Sequence, residues 1–486
     1  MRRRSFSLLF IWSLPAPYAL AGTGLQERLS SALASVPHGQ AVAGVSVVDL
    51  TTNGLLYERQ GDHGLIPASN MKVFVMAAAL ALLGPDFAFE TVLATDGANL
   101  ILVGDGDPGF GDEKLYRERG ETITSDFDRW AEALRGMGLT SIPGDLLIDD
   151  AIFDDQGINP TWEAEDLGKW YAAPLAGLNF NDNCVDITVS PASGPGGPVR
   201  LSVRPETTLV NLINRCRSGG TGDPLLHHPA GTMDYVISGA CRKTWPFAPV
   251  SFPDPGLLAA DALRTALRAQ GVMVAGQIRR ERVRLSDGRL PPALSVVGTH
   301  RTPLAGVLQR IGKDSQNLFA ECLLKRLGYE WARRQGVDRP QGSWEVAARA
   351  VPAILTERGI DVTGLVVADG SGLSRESRCS ARQLTDVLAW MHAQPYGPLF
   401  RESLSVAGVD GSLRKRLKDL PESVRAKTGT MRGVRTLAGY VDGSDGSQYA
   451  FAILFNGYKG PSAPYKDIQD RICRTLANTP ADGRPR

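Results

Sequence analysis

Residues 73 to 314 separate the string Ser69-Asn70-Met71-Lys72 from the string Ser315-Gln316-Asn317, and Lys427-Thr428-Gly429 follows later still. If the three meet in one cleft, the chain must leave the domain that holds the first and return before the second. A structureless excursion of that length does not occur in a compact domain, where loops beyond about 15 residues are uncommon. The intervening stretch must therefore fold by itself. Its texture agrees: LILVGDGDPGF, GDLLIDDAIFDD, NCVDITVSP, VRLSVRPETTLV and MDYVISGAC alternate strand-like runs with turns. Length points the same way, because 486 residues exceed what one hydrophobic core normally supports.

The flanking segments read as a different architecture. AGVSVVDLTTNGLLY, residues 43 to 57, carries an Asn-Gly turn between two apolar runs and predicts a hairpin. Pro67-Ala68-Ser69 then opens NMKVFVMAAALALLG, rich in Ala, Leu and Met and ended by Gly84-Pro85, which predicts a buried helix with Ser69 in its first turn. Residues 304 to 328 predict two helical stretches with Ser315 between them. SVRAKTGTMRG, RTLAGYVDG and YAFAILFNG predict three strands before a terminal helix around DIQDRICRTLA. The expected class is α+β, an antiparallel sheet with helices on its faces, interrupted by a large β-rich insertion. The boundaries drawn are 1–21 for an export signal, 22–87 and 290–486 for the discontinuous domain, 88–175 and 270–289 for an inserted domain, and 176–269 for a β-rich domain nested within it. Leu257 to Gln270 and Val272 to Arg279 would lead the chain back. No internal repeat is evident.

The three strings suit acyl transfer through serine with lysine as base. A serine hydroxyl is a weak nucleophile and needs a base within hydrogen-bond reach. Positions i and i+3 of a helix share a face, so Lys72 can reach Ser69. To accept a proton near neutrality, the Lys72 ammonium must fall from about 10.4; a shift of about 3 units corresponds to roughly 4 kcal/mol. Lys427 is a natural second positive charge, and burial must supply a large part. Ser315 could relay a proton to a leaving amine, and Asn317 could orient Lys72 and substrate backbone. Lys427 and Thr428 could hold a carboxylate. Gly429 would let substrate approach its strand closely, and the Thr430 N–H could join that of Ser69 in an oxyanion hole.

Singly, each string has a plainer reading: SxxK as a helix start with a surface lysine, SQN as a polar helix start, KTG as an ordinary turn. Their order and settings favour the site. His38, His63, His227, His228, His300 and His392 form no metal-binding pattern and lie near no serine motif, so they read as structural or surface residues. Gly104-Asp105-Gly106-Asp107-Pro108-Gly109 matches the dinucleotide fingerprint in form, but Pro108 and the lack of a following apolar helix make it a turn. No cofactor or metal is expected.

Arg2, Arg3 and Arg4, an apolar run from Phe6 to Leu14, and Ala19-Leu20-Ala21 have the layout of a secretory signal cleaved after Ala21. The run is short of the roughly 20 residues that span a bilayer. Without it, 53 basic residues become 50 against 52 acidic ones, a net charge of −2. Such a balance gives no reason to seek nucleic acid or anionic lipid. Export to an oxidising periplasm would permit pairing among Cys184, Cys216, Cys241, Cys322, Cys379 and Cys473, with no pairing specified and buried thiols the plainer reading.

Taken together with GDPGF, GDLLIDDAIFDD, LNFNDN, DGSGLSR (Asp369 to Arg375), VAGVDGSL and VRAKTGTMRGVRTLAGYV, the chain resembles the low-molecular-mass class C penicillin-binding proteins, the D-alanyl-D-alanine carboxypeptidase/endopeptidase family. The resemblance implies a penicillin-recognising serine transpeptidase/β-lactamase-like catalytic domain with two extra domains. It implies peptidoglycan stem peptides ending in D-Ala-D-Ala, or D-Ala-diaminopimelate cross-links, as substrates, and β-lactams as agents that acylate Ser69. It further implies Asp149, with Asp150 as its rival, and Arg375 as holders of the diaminopimelate end. Arg432 stands where relatives often carry glutamine. A homodimer and a peripheral association with wall or membrane remain compatible with the resemblance. Two other readings are a β-lactamase-like hydrolase, which would need a dedicated deacylating glutamate and for which Glu321 is the nearby candidate, and a non-catalytic β-lactam sensor or wall-binding protein.

Overall fold

The computed structural model describes residues 23–36, 41–192 and 194–479; the segment read as an export signal lies outside them. A six-stranded antiparallel sheet is assembled from both ends of the chain, in the order 405–406, 424–431, 434–442, 448–456, 42–49 and 54–59. Its central strand Gln448–Asn456 shows why the sequence there is continuously apolar. Tyr449, Phe451, Ile453 and Phe455 enter one core, with the helices Thr23–Ala34 and Ala463–Ala477, while Ala450, Ala452 and Leu454 enter the other. Side chains alternate across a strand, so a sheet covered on both faces needs apolar residues at every position. The second core contains the buried helix Met71–Leu83 packed beside Asn317–Arg334, Trp344–Thr356 and Ala381–His392.

The predicted hairpin forms as Val42–Asp49 and Gly54–Arg59, with Asn53 at φ 52° in the turn. The two helical stretches around Ser315 are Leu304–Gly312 and Asn317–Arg334. The three late strands and the terminal helix also form. Among the described residues no helix is long and apolar enough to cross a membrane. All six cysteines are buried and unpaired, so none of the pairings left open forms.

The excursion builds a mixed five-stranded sheet, ordered 278–280, 146–149, 100–103, 88–95 and 295–303. Leu100, Leu102, Leu146 and Ile148 pack under the helices Ser125–Gly136 and Pro255–Ala269. Beyond it, Val185, Ile187, Tyr235 and Ile237 centre a smaller β-rich core. Two expected boundaries shift. The helix Pro255–Ala269 buries Ala259, Leu263 and Leu267 against the five-stranded sheet, with Leu258 alone reaching the smaller core, so it does not belong to the nested unit that was drawn through residue 269. The strand Ser295–Pro303 pairs with Ala88–Thr95 along its length, so the inserted sheet runs past residue 289. Both partners lie far back in the chain, and local patterning does not specify them.

The Gly104–Gly109 turn serves packing. A Cβ on Gly104 would lie 2.2 Å from the Gly177 carbonyl, and one on Gly106 would strike the Phe153 ring. Buried ion pairs fasten the insertion to the helices behind the cleft: Arg326 to Asp105 (2.8 Å), Arg310 to Asp112 (2.7 Å) and Lys325 to Asp154 (2.6 Å).

Candidate active site

Ser69 sits in a short 3₁₀ turn, Ala68–Asn70, that leads into the helix Met71–Leu83. Ala68 adopts φ 46°, a conformation that a residue with a Cβ takes only when its surroundings impose it. Two glycines impose it by close approach. A Cβ on Gly372 would lie 1.8 Å from the Ala68 carbonyl oxygen, and one on Gly429 would meet the Thr436 hydroxyl at 2.0 Å and Pro67 O at 3.0 Å. The turn is thus clamped between the 369–375 loop and the strand Val424–Met431.

The helix projects Lys72 back under Ser69, with Nζ 3.2 Å from Oγ. The fully buried ammonium also donates to Asn317 Oδ1 at 2.8 Å and to the Ser371 carbonyl at 2.7 Å. Burial lowers its pKa from 10.5 to about 8, opposed by the negative charges of Glu321 and Asp369. Lys427, also fully buried, donates to Ser315 Oγ at 2.8 Å and to the Thr428 carbonyl at 2.9 Å. Burial and then the charge of Lys72 push its pKa well down. Burial is thus the main cause for both lysines. Ser315 holds φ 60° in the link between its two helices. The three strings that are far apart in the chain form one connected cluster.

Backbone register explains what the last string offers. Met431 and Val434 flank a two-residue hairpin loop and exchange its closing hydrogen bonds. Hydrogen-bonded and non-hydrogen-bonded pairs alternate along the ladder, so the Thr430–Arg435 and Thr428–Leu437 pairs are of the second kind. The N–H of Thr430 therefore points away from the sheet, toward the edge. Only the amino-terminal part of the strand is covered there, by Ser405–Val406, which pairs with Arg425 and Ala426. From Lys427 onward no strand among the described residues pairs with the edge, which can receive an extended peptide, and the Thr430 N–H can be joined by that of Ser69, in the turn that leads into its helix. Thr428 Oγ1 donates to Ser412 at 2.8 Å. The arrangement has a serine hydroxyl against a lysine of lowered basicity, a second hydroxyl–ammonium pair and an outward N–H beside an open strand. It can form and break an acyl ester.

Three features of the surround complete the site, and of these the sequence reading reached only Glu321, as a candidate deacylating glutamate. Glu321, one turn past Asn317, accepts from Trp344 Nε1 (2.8 Å), Gly370 N (2.9 Å) and Ser371 N (2.7 Å). Burial and the neighbouring Asp369 raise its pKa to about 7. Asp369 in turn holds Gly372 N, Ser374 N and Trp162 Nε1, so the DGSGLSR segment is a scaffold for the carbonyl that Lys72 touches. The insertion contributes as well: the Tyr171 carbonyl accepts from Asn317 Nδ2 at 2.8 Å. The signal was present in DGSGLSR, of which only Arg375 had been given a role.

Asp149 does not line the cleft. It is 1% exposed, and its carboxylate accepts from the backbone N–H groups of Val283 (2.8 Å), Arg284 (2.7 Å) and Ala151 (3.2 Å), which is a turn-building role with little capacity left for a substrate. Its rival Asp150 is engaged by Arg280 at 2.9 Å. Arg375 does lie beside the hairpin, donating to the Arg432 carbonyl at 3.2 Å and 3.3 Å, and the exposed Arg432 guanidinium is 3.8 Å from Glu163.

Comparison with known proteins follows the same outline. The model of the D-Ala-D-Ala carboxypeptidase 3 (S13) family matches residues 25–479. The D-alanyl-D-alanine carboxypeptidase of Actinomadura sp. (strain R39) is 33% identical, covering 94% of this chain and 85% of that protein. The D-alanyl-D-alanine carboxypeptidase DacB of Haemophilus influenzae is 26% identical over 93% of this chain and 92% of its own length. The crystal structure of penicillin binding protein 4 (dacB) from Haemophilus influenzae superposes with a TM-score of 0.74 at 24% identity, covering 92% of this chain and 98% of that one.

Proposed function

Since the chain belongs to the D-Ala-D-Ala carboxypeptidase 3 (S13) family, we propose that it is an exported enzyme that cleaves peptidoglycan stem peptides through an acyl-enzyme on Ser69, both at D-Ala-D-Ala termini and at D-Ala-diaminopimelate cross-links. The observation that carries this reading is the hydrogen-bonded convergence of Ser69, Lys72 and Asn317 beside Ser315 and Lys427.

Neutral Lys72 takes the Ser69 proton as Oγ bonds to the penultimate D-Ala carbonyl carbon, and the oxygen that gains charge is received by the Ser69 and Thr430 N–H groups. As the C–N bond breaks, the proton held by Lys72 passes through the Ser315 hydroxyl, which Lys427 orients, to the leaving nitrogen, and Lys72 is neutral again. Water then adds to the ester carbonyl, giving a proton to neutral Lys72, which returns it to Ser69 Oγ as the ester C–O bond breaks and the free acid departs. Thr428 and Gly429 hold the peptide along the strand, and Arg375 offers a cation at the far end of that edge. A β-lactam carbonyl would enter the same path and remain as an ester. A glutamate-driven β-lactamase is disfavoured by Glu321, whose oxygens are engaged by the indole and two backbone N–H groups.

The test is to incubate the purified protein with pentapeptide monomers and cross-linked muropeptide dimers, and separately with benzylpenicillin. D-alanine release, dimer cleavage and a penicilloyl adduct on the Ser69 peptide are expected, all absent from Ser69→Ala. Wild-type activity in Ser69→Ala would overturn the assignment.

A further inference from the structure

The strand next to the free edge carries a guanidinium that no carboxylate pairs with among the described residues. Arg435 lies directly across the ladder from Thr430, on the same sheet face as Thr428, because residues opposite one another and those two apart point the same way. Its Nη1 donates to Thr430 Oγ1 at 2.6 Å, and its buried Nε has no hydrogen-bond partner. Other buried arginines of the chain are matched: Arg310 by Asp112, Arg326 by Asp105 and Glu330, Arg416 by Asp470. Arg435 has no ion pair among the described residues. The nearby carboxylate, Asp470, is already taken by Arg416 through Nε at 3.0 Å, and Arg416 itself retains a buried Nη1 without a partner. One carboxylate thus stands against two guanidinium groups and bonds only Arg416, leaving a positive surplus on the sheet face that carries both threonines. Burial, followed by repulsion from Arg416, lowers the Arg435 pKa, so an anion seated there would relieve it.

The hydroxyl between them sets the direction. Thr430 Oγ1 accepts from Arg435, so its own proton is available to donate outward, and Thr430 is exposed. We propose that Arg435 is a specificity-determining residue that, directly and through Thr430, holds the carboxylate α to the leaving amine of a peptide lying along the edge strand. The inference rests on the function proposed above. Both proposed substrates carry such a carboxylate on the leaving side, so Arg435 selects for that group rather than between them.

The experiment compares a diacylated D-Ala-D-Ala peptide with its C-terminal carboxamide in the full-length wild type, Arg435→Ala and Arg435→Lys. On the acid, Arg435→Ala should lose about 10- to 100-fold in kcat/KM, the scale of a hydrogen bond to a charged group, mainly through KM. On the amide, wild type and Arg435→Ala should agree within about twofold, since the group Arg435 serves is gone. Arg435→Lys should recover part of the loss. An equal loss on both peptides would mean that Arg435 only supports the strand and would overturn the inference, as would an unchanged rate on the acid. A wild type that hydrolyses neither peptide and forms no penicilloyl adduct would overturn the inference and the proposed function together.

Discussion

Lys72 is where burial becomes chemistry. Its ammonium is lowered to about 8 by desolvation, while Glu321 and Asp369 keep it from falling further. Below that pH it carries a proton and cannot take one from Ser69, so the benzylpenicillin acylation rate should climb with pH and level off above about 8. Stopped-flow acylation between pH 6 and 10 checks this; a flat profile would exclude Lys72 as the base. The same shift has a stability consequence. Between about 8 and 10.5 the unfolded chain binds more protons at this site than the folded one, so the contribution of Lys72 to stability rises with pH through that window. Asp149 belongs to the opposite category. Asp149→Asn keeps the shape but weakens two short backbone hydrogen bonds, and should cost about 1–3 kcal/mol in a urea titration while leaving KM unchanged. A raised KM at full stability would restore it to the substrate site. The role implied for Asp149 came from the resemblance alone, and adjacent aspartates at a strand end look the same in sequence whether they face ligand or backbone.

Among the elements, the tight contact between the 369–375 loop and the nucleophile turn offers the sharpest test. Gly372 combines φ 76° with a Cβ position 1.8 Å from Ala68 O, so Gly372→Ala must move the loop, the turn or both. Acylation of Gly372→Ala should fall at least about 100-fold, the scale of a 1 Å misplacement at a reacting centre, with Lys72 losing its Ser371 acceptor. Retention of the wild-type acylation rate would show that the clamp is dispensable. The hairpin, the nucleophile helix and the three late strands were legible because each is specified locally, by Asn53-Gly54, by Gly84-Pro85 after an Ala-rich run, and by turns between apolar segments. A repeated arrangement was not. Strand 141–142 lies parallel to 273–274, and 146–148 to 278–280, and the helix ahead of each run closes on Ala-Leu-Arg-x-x-Gly, residues 133–138 and 266–271. A shared string that short does not stand out along the chain until the parallel pairing of the strands after it is seen.

Over the whole molecule, the insertion is part of the site's support. Trp162 reaches Asp369, Tyr171 reaches Asn317, and Asp154 meets Lys325, whose ammonium is fully buried 4.0 Å from the Trp344 ring centre. Asp154→Ala would leave that ammonium with the Gln156 carbonyl and an aromatic face in place of a counter-ion. The expected outcome is a loss of about 2–4 kcal/mol in chemical denaturation, with slower acylation because the strut on Asn317 loosens. An unaffected midpoint and rate would show that the insertion docks independently of this pair. By itself, the sequence singled out the three strings that the structure brings together, the α+β class and the need for an inserted body, since all of these follow from residue type, order and local periodicity. Only the tertiary structure decided which strands complete the inserted sheet, that Glu321 and Asp369 underlie Lys72, that Asp149 builds a turn, and that Arg435 has no counter-ion among the described residues. Those outcomes depend on which distant groups become neighbours once water is excluded, and that is settled by packing across the whole chain.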